Sequence, residues 1–349
     1  MRVTIKDVAE KAQVSVTTVS MAMGSPGRIA EATRERVLKV AEEMGYRPNM
    51  LVRGMQKGQT MSVGVLMNFS GDSFEGRIFQ GVHHTLVDAG YVPIALMPND
   101  RAPALSQIHS LLDRRVDGIL MRPTGEAKWE EHLHEALRRH VPVVSVDSET
   151  VGESGKSERQ IDFVGTDDYL GGKIAATKML EAGHRRLAVL SMGDETDPMY
   201  QRCKGFVDTL KTVADTTCEV VDLSWEYVHS ESPELAMKLL GSESRPTGVF
   251  LTMDMIAPGV YRAAASLGLN LPDDLSVIGF ADEAVAHYLT PSLSTLRQHP
   301  REIGQHGAEL LLKRIEMFRK SKKTPVFERT IKLLEPTWVE RDSVTAPPA

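Results

Sequence analysis

From Met61 onward one pattern repeats: a short apolar run, a turn, then a stretch whose apolar residues recur at helical spacing. The runs SVGVLM, YVPIALM, VDGILM and VPVVSVD come first, separated by a helix from about Phe74 to Ala89, a second reaching Arg114 and a third reaching Arg139. After the polar stretch ETVGESGKSERQ the alternation resumes with FVGTDD, RLAVLSM, CEVVDL, GVFLTM and LSVIGF, with helices that end near Ala182, Val213, Leu240 and Leu267. Strands that alternate with helices form parallel sheets covered on both faces. Two similar α/β lobes are expected.

Residues 1–60 obey a different rule. In TIKDVAEKAQVSVTTVSMAM, Thr4 followed by Asp7 reads as a capped helix start, and Ile5, Val8, Ala9 and Ala12 make one apolar stripe. After the break at Gln13 and Val14, Ser15 can cap a second helix that turns Val19 and Met23 inward and leaves Val16, Thr17, Ser20 and Met21 on or near the opposite face. Two helices so joined make a helix-turn-helix. A Ser-Pro-Gly loop leads to EATRERVLKVAEEMGY, where Val37, Val40, Ala41 and Met44 form a third stripe ended by Gly45. Periodicity alone leaves a plain three-helix bundle as an alternative. Charge separates the two parts: residues 1–60 hold ten Lys and Arg against six Asp and Glu, a net +4, whereas the rest holds 31 against 41, a net −10.

Several function classes find no support. Apolar runs fall short of the roughly 18 residues of a membrane span, and MRVTIKDVAE lacks a signal peptide's apolar core, so a cytoplasmic location is expected. Cys203 and Cys218 are too few for a disulfide framework and read as free thiols. His83, His84, His132, His134 and His140 are not at the i, i+4 spacing of a helical metal site, and neither a metal nor another cofactor is expected. Asp167 and Asp168 stand where a strand hands over to a helix, a place for capping or inter-lobe hydrogen bonding rather than acid/base chemistry. No nucleophile elbow, phosphate loop or dinucleotide fingerprint is present, and no enzyme activity is expected.

TIKDVAEKAQVSVTTVS and TRERVLKVAEEMGYRPN resemble the DNA-binding headpiece of the lactose/galactose repressor (LacI/GalR) family. The resemblance implies that the second helix enters the major groove of double-stranded DNA, with Val16, Thr17 and Met21 reading bases and Ser15, Thr18, Thr33 and Asn49 near phosphates. The family usually carries arginine where this chain has Met21, and a thioether cannot make the bidentate contact to guanine, so an operator unlike the usual one is expected. RPNMLVRGMQKGQT resembles the family's hinge, a short helix that folds on DNA and inserts an apolar minor-groove wedge, here Met55. A plain linker is the alternative.

VDGIL, AGHRRLAVL, RCKGF, GLNLPDDLSVIGF and LSTLRQ extend the resemblance over nearly the whole chain. It implies an all-α helix-turn-helix headpiece at 1–48, a hinge helix or linker at 49–60, and a two-lobed periplasmic-binding-protein-like effector-binding and dimerisation domain at 61–340. Lobe 1 is expected at about 61–163 and 293–323, lobe 2 at about 164–290 and 325–340, with a flexible tail at 341–349. Ligands of open parallel sheets bind beyond the strand C-termini, here in the cleft between the lobes. The resemblance puts Phe74, Arg122, Asp147, Arg202, Asp254 and Gln298 there. Structural alternatives are Phe74 as core, Asp147 and Asp254 as turn caps and Arg122 as a solvated charge. The effector is expected to be a sugar or an anionic metabolite; Met253 replaces a usual asparagine and Ala281 a usual aspartate, which removes two polyol partners, leaves two guanidiniums and tilts the expectation toward an anionic or otherwise atypical effector.

The expected whole is a repressor that, as a homodimer, grips a pseudo-palindromic operator and changes its grip when the small-molecule effector favours one lobe arrangement. A transport solute-binding protein has no use for a basic helical head, and an enzyme on the same body would need a reactive residue set. RDSVTAPPA shows no leucine heptad for a tetramer.

Overall fold

A computed structural model describes residues 3–23, 29–47, 59–68, 73–97, 104–123, 129–149, 161–193, 197–224 and 228–348. Asn49, Met55 and most of the expected hinge lie outside these residues, as do the side chains of His132 and His134. The chain divides into two compact units, Met1–Met61 and Ser62–Ala349.

In the first unit α1 (Ile5–Lys11), α2 (Val16–Ala22) and α3 (Glu31–Glu43) close around Val8, Ala9, Ala12, Val19, Ala22, Val37 and Ala41. The start of α1 is tied by Asp7 Oδ2, which accepts from Thr4 N at 2.7 Å and Thr4 Oγ1 at 2.8 Å. These two bonds hold the Asp7 carboxyl below its ordinary pKa. Ser15 Oγ accepts from Thr18 N at 3.1 Å and so caps α2. Gln13, with φ 54°, takes the left-handed conformation that lets the chain turn between the two helices. Each helix is too short to persist alone, so the orientation of α2 depends on this shared core.

The second unit contains two six-stranded sheets. Lobe 1 is built from β1 (Ser62–Leu66), α4 (Phe74–Asp88), β2 (Val92–Leu96), α5 (Ala104–Asp113), β3 (Gly118–Met121), α6 (Trp129–Arg138), β4 (Val143–Val146) and β5 (Asp162–Thr166). Lobe 2 follows with α7 (Asp168–Glu181), β6 (Arg186–Ser191), α8 (Pro198–Leu210), β7 (Thr217–Asp222), α9 (Val228–Leu240), β8 (Gly248–Leu251), α10 (Ala257–Ser266), β9 (Ser276–Ala281), α11 (Ala284–Tyr288) and β10 (Ser294–Arg297). The chain then returns through α12 (Pro300–Lys320) and β11 (Ile331–Leu334) to lobe 1 and ends its last crossing in β12 (Thr337–Val339) of lobe 2.

The strand order of lobe 1 is β11-β5-β4-β3-β1-β2, parallel at every pairing. Lobe 2 has the order β12-β10-β9-β8-β6-β7, parallel except where β12 runs against β10. The inner strands are buried on both faces, which is why they read as nearly continuous apolar runs. In each lobe two helices approach so closely that only glycine fits. A Cβ on Gly81 would strike the Arg301 carbonyl between α4 and α12, and one on Gly172 the Arg202 carbonyl between α7 and α8. No described helix is long and apolar enough to cross a membrane.

Three expectations are corrected. The stretch around 293–297 does not belong to lobe 1, because β10 pairs with β9 and β12 in the second sheet and the crossing comes after Arg297. Residues 331–334, expected in lobe 2, form β11 on the edge of the first sheet. The supposed tail is pinned as far as Thr345: Ser343 is fully buried, its hydroxyl donating to Val277 O at 2.6 Å and accepting from Ser294 N at 2.8 Å. Thr345 N donates to Ser276 Oγ at 3.0 Å, and its carbonyl lies 2.9 Å from Nε2 of buried His184.

Candidate functional sites

In the first unit, α2 buries Val19 and Ala22 and turns Val16, Thr17, Ser20 and Met21 to solvent. Val16 is 42% and Met21 38% exposed, on a surface that the small core leaves without cover. Thr18 Oγ1 lies 2.9 Å from Ser15 Oγ, so two hydroxyls stand together at the helix start with the α2 amides behind them. Thr33 lies half-buried in the first turn of α3. Such a face suits a groove: short polar side chains and amides for phosphates, and methyl-bearing groups for base edges.

The second unit gathers polar side chains where its strands end. In lobe 1 Arg122 follows β3 and Asp147 follows β4, and Arg122 Nε donates to Asp147 Oδ2 at 2.7 Å. Glu75, in the first turn of α4, lies 3.6 Å from Arg122 Nη1. Asp147 takes a left-handed backbone, φ 64°, is 2% exposed, and its Oδ1 has no partner among the described residues. In lobe 2 Arg202 on α8 is held on three sides. Its Nε donates to Asp168 Oδ1 at 2.7 Å, its Nη1 to Thr252 O at 2.8 Å, and its guanidinium covers the Phe280 ring at 3.9 Å. Gln298, just past β10, donates to Thr166 Oγ1 at 2.9 Å and thus joins two of the three crossings between the lobes.

Each lobe therefore presents one buried guanidinium matched by one carboxylate. Burial works against the charge on Arg122, but Asp147, Glu75 and, from lobe 2, Asp197 outweigh it and raise the pKa. Burial pushes Asp168 up to about 7; Arg202 opposes this and Asp147 of lobe 1 adds to it. Burial also raises Glu283, which feels Arg77 and Glu75 of lobe 1 and Arg202 of its own lobe. These groups of the two lobes lie close enough to influence one another's charge and border one cleft. Counting Glu75, Asp147, Asp168, Asp197 and Glu283 against Arg77, Arg122 and Arg202, the cleft is not cationic. The two guanidiniums on which an anionic effector was expected are already matched.

Residues 4–49 match the bacterial regulatory proteins of the lacI family, and residues 176–344 match the periplasmic binding protein-like domain. Over 342 residues, 98% of either chain, the sequence is 31% identical to the HTH-type transcriptional repressor PurR of Vibrio vulnificus. The chain belongs to the lacI family. It is 30% identical over 345 residues, 98% of each chain, to the ribose operon repressor of Haemophilus influenzae. The fold is also that of the lac repressor dimer bound to operator and the anti-inducer ONPF, with a TM-score of 0.80 at 22% identity over 99% of this chain and all of that one. A lacI family regulator from Enterococcus faecium with bound ribose aligns with a TM-score of 0.66 at 27% identity, covering 82% of this chain and 99% of that one. This lacI family member is a DNA-binding transcriptional regulator, and its family is not enzymatic.

Of the effector residues expected from the sequence, Arg122 and Asp147 meet directly and Arg202 lies on the facing lobe. Phe74 is 9% exposed at the first position of α4, behind the cap Ser73. Asp254 departs from expectation: it is fully buried, and its two oxygens accept from Thr295 Oγ1 at 2.7 Å and Glu283 N at 2.8 Å. It braces the loop after β9 from a position closed to solvent. Asp167 caps α7 through Leu170 N at 2.9 Å, as expected for one of this pair, whereas its neighbour Asp168 is the partner of Arg202, a pairing the sequence did not indicate.

Proposed function

We propose that this regulator is a cytoplasmic repressor that grips a two-fold operator as a homodimer and changes its grip when a small, uncharged, hydroxyl-rich molecule enters the inter-lobe cleft. Val16, Thr17 and Met21 read bases, and Ser15, Thr18 and Thr33 contact phosphates. Asn49 joins these phosphate contacts and Met55 supplies the minor-groove wedge, both from outside the described residues. In the cleft Arg122, Asp147, Arg202 and Gln298 contact the ligand, with Phe74 as its apolar wall.

The observation that carries the ligand class is the matching of both guanidiniums within their own lobes at 2.7 Å. A phosphate or carboxylate would have to displace Asp147 or Asp168. A neutral polyol instead donates to Asp147 Oδ1, which has no partner among the described residues, and accepts from the remaining guanidinium N–H groups. The ribose-bound relative and the ribose operon repressor make ribose the first compound to try.

Selection of binding sites from random duplex DNA with the full-length protein, followed by competition with ribose, other neutral sugars and sugar phosphates, tests the whole reading. A pseudo-palindrome released or tightened by a neutral sugar is expected. A response to anions alone overturns the ligand class, and no enriched sequence overturns the DNA-binding roles.

A further inference from the structure

Three segments of lobe 1 meet where its strands begin: the turn from α5 into β3, the turn from α6 into β4, and the end of α12 with the residues after it. Hydrogen bonds hold them together. Asp117 N donates to Ser62 O at 2.8 Å, Thr324 Oγ1 to Leu137 O at 3.0 Å, and His140 Nε2 lies 2.6 Å from Phe318 O. Arg139 Nη1 reaches Asp113 Oδ1 at 3.5 Å, and Arg319 is near enough to Tyr91, ahead of β2, to act on its hydroxyl.

Residues 113–117, 138–140 and 318–324 contain eight Lys and Arg against two Asp, and all eight cations are exposed. Glu135 and Glu316, one turn back, pair with Arg139 and Lys320. Arg114, Arg138, Arg319, Lys322 and Lys323 have no ion pair among the described residues. Helix C-termini favour a cation or two each, which accounts for Arg138 and Arg319 but not for Lys322 and Lys323 beyond the end of α12. A chain whose residues after 60 carry a net −10 has concentrated positive charge at one end of one lobe. The chain enters the lobe at that same end, at Ser62, directly after the DNA-binding unit.

We propose that this basic end of lobe 1 is a second DNA contact, one that engages duplex phosphates without reading sequence; it rests on the DNA-binding function of the first unit. Tethering to a unit that already holds DNA raises the effective concentration of duplex, so contacts too weak to act alone contribute. Each phosphate neutralised adds about 0.9 to the slope of log affinity against log salt, roughly a threefold change between ~50 and ~200 mM.

The test compares the full-length protein with its Arg138→Gln/Arg319→Gln/Lys322→Gln/Lys323→Gln variant on two duplexes, the selected operator alone and the same operator with about 20 base pairs of arbitrary flank on each side, across a salt series. Wild type is expected to bind the flanked duplex at least about tenfold more tightly at low salt, with a steeper salt slope. The variant should keep its affinity for the bare operator and lose that increment. An equal increment in both proteins, or none in wild type, overturns the proposal and leaves the patch to an acidic protein partner. Failure of both proteins on the bare operator instead removes the DNA-binding reading beneath it. Should the fourfold variant lower the unfolding midpoint, Lys322→Gln/Lys323→Gln, beyond the helix, carries the same comparison at about half the effect.

Discussion

Asp168→Asn keeps the shape of a side chain facing the cleft and removes its titration. Asp168 is 8% exposed, accepts from Arg202 Nε at 2.7 Å, and has its pKa moved from 3.8 to about 7 because burial outweighs that partner. A raised carboxyl pKa means that the folded protein holds the proton more tightly than the unfolded chain. The stability this group contributes is therefore complete below pH 3.8, declines as the pH rises, and is lost above about 7. At 1.36 kcal/mol per pH unit the decline has a ceiling of ~4 kcal/mol. The asparagine variant lacks this component while keeping an oxygen for Arg202, so the difference between the two proteins should move in favour of the variant by ~2–4 kcal/mol between pH ~4 and ~8. Urea unfolding followed by far-ultraviolet circular dichroism at four or so pH values measures it. Parallel pH profiles would show that Asp168 is ionised throughout and that burial does not outweigh its pairing with Arg202.

Further outcomes follow from other parts of the molecule. Met21→Arg should shift the selected operator toward guanine at one position in each half-site, with a discrimination of about 1–3 kcal/mol in competition binding; an unchanged preference removes Met21 from the reading face. Ser15→Ala should cost about 1 kcal/mol through the lost α2 cap and speed hydrogen exchange in residues 16–22, while exchange in the second unit stays as it was. Gly172→Ala, by pushing α7 away from the Arg202 carbonyl, should destabilise the protein by roughly 1–3 kcal/mol and weaken ligand binding in calorimetry; unchanged stability and affinity would show that the contact of α7 with α8 tolerates a side chain there.

The legible parts of the sequence were those with local causes. Thr4 with Asp7, Ser15, and the stripes of Val8, Val19 and Val37 act within one or two helical turns, and the double burial of the strands leaves nearly continuous apolar runs. The return strand β11 left no such trace. It lies at a sheet edge with Ile331 and Leu333 about half exposed, and its pairing with β5 joins residues nearly half the chain apart. β12 is only three residues long. In the cleft, the family resemblance pointed to Arg122, Asp147 and Arg202, but which carboxylate serves Arg202 depends on a contact 34 positions apart in the chain. Asp167 and Asp168 cannot be told apart without the first turn of α7, which spends one on its cap and aims the other at the arginine. Asp254 misled for the same reason: a carboxylate at a strand end can face the ligand or brace the next loop, and only the positions of Thr295 and Glu283 decide.

On this reading, occupancy of the cleft and grip on DNA are one equilibrium. Affinity for the selected operator, measured by fluorescence anisotropy with and without saturating ligand, tests it most directly when paired with ligand affinity measured with and without operator. Linkage predicts that the two affinities change by the same factor, typically five- to 150-fold, and that Arg202→Met abolishes both changes while leaving ligand-free operator binding in place. A ligand that binds the cleft tightly while operator affinity stays constant would show the two sites to be uncoupled.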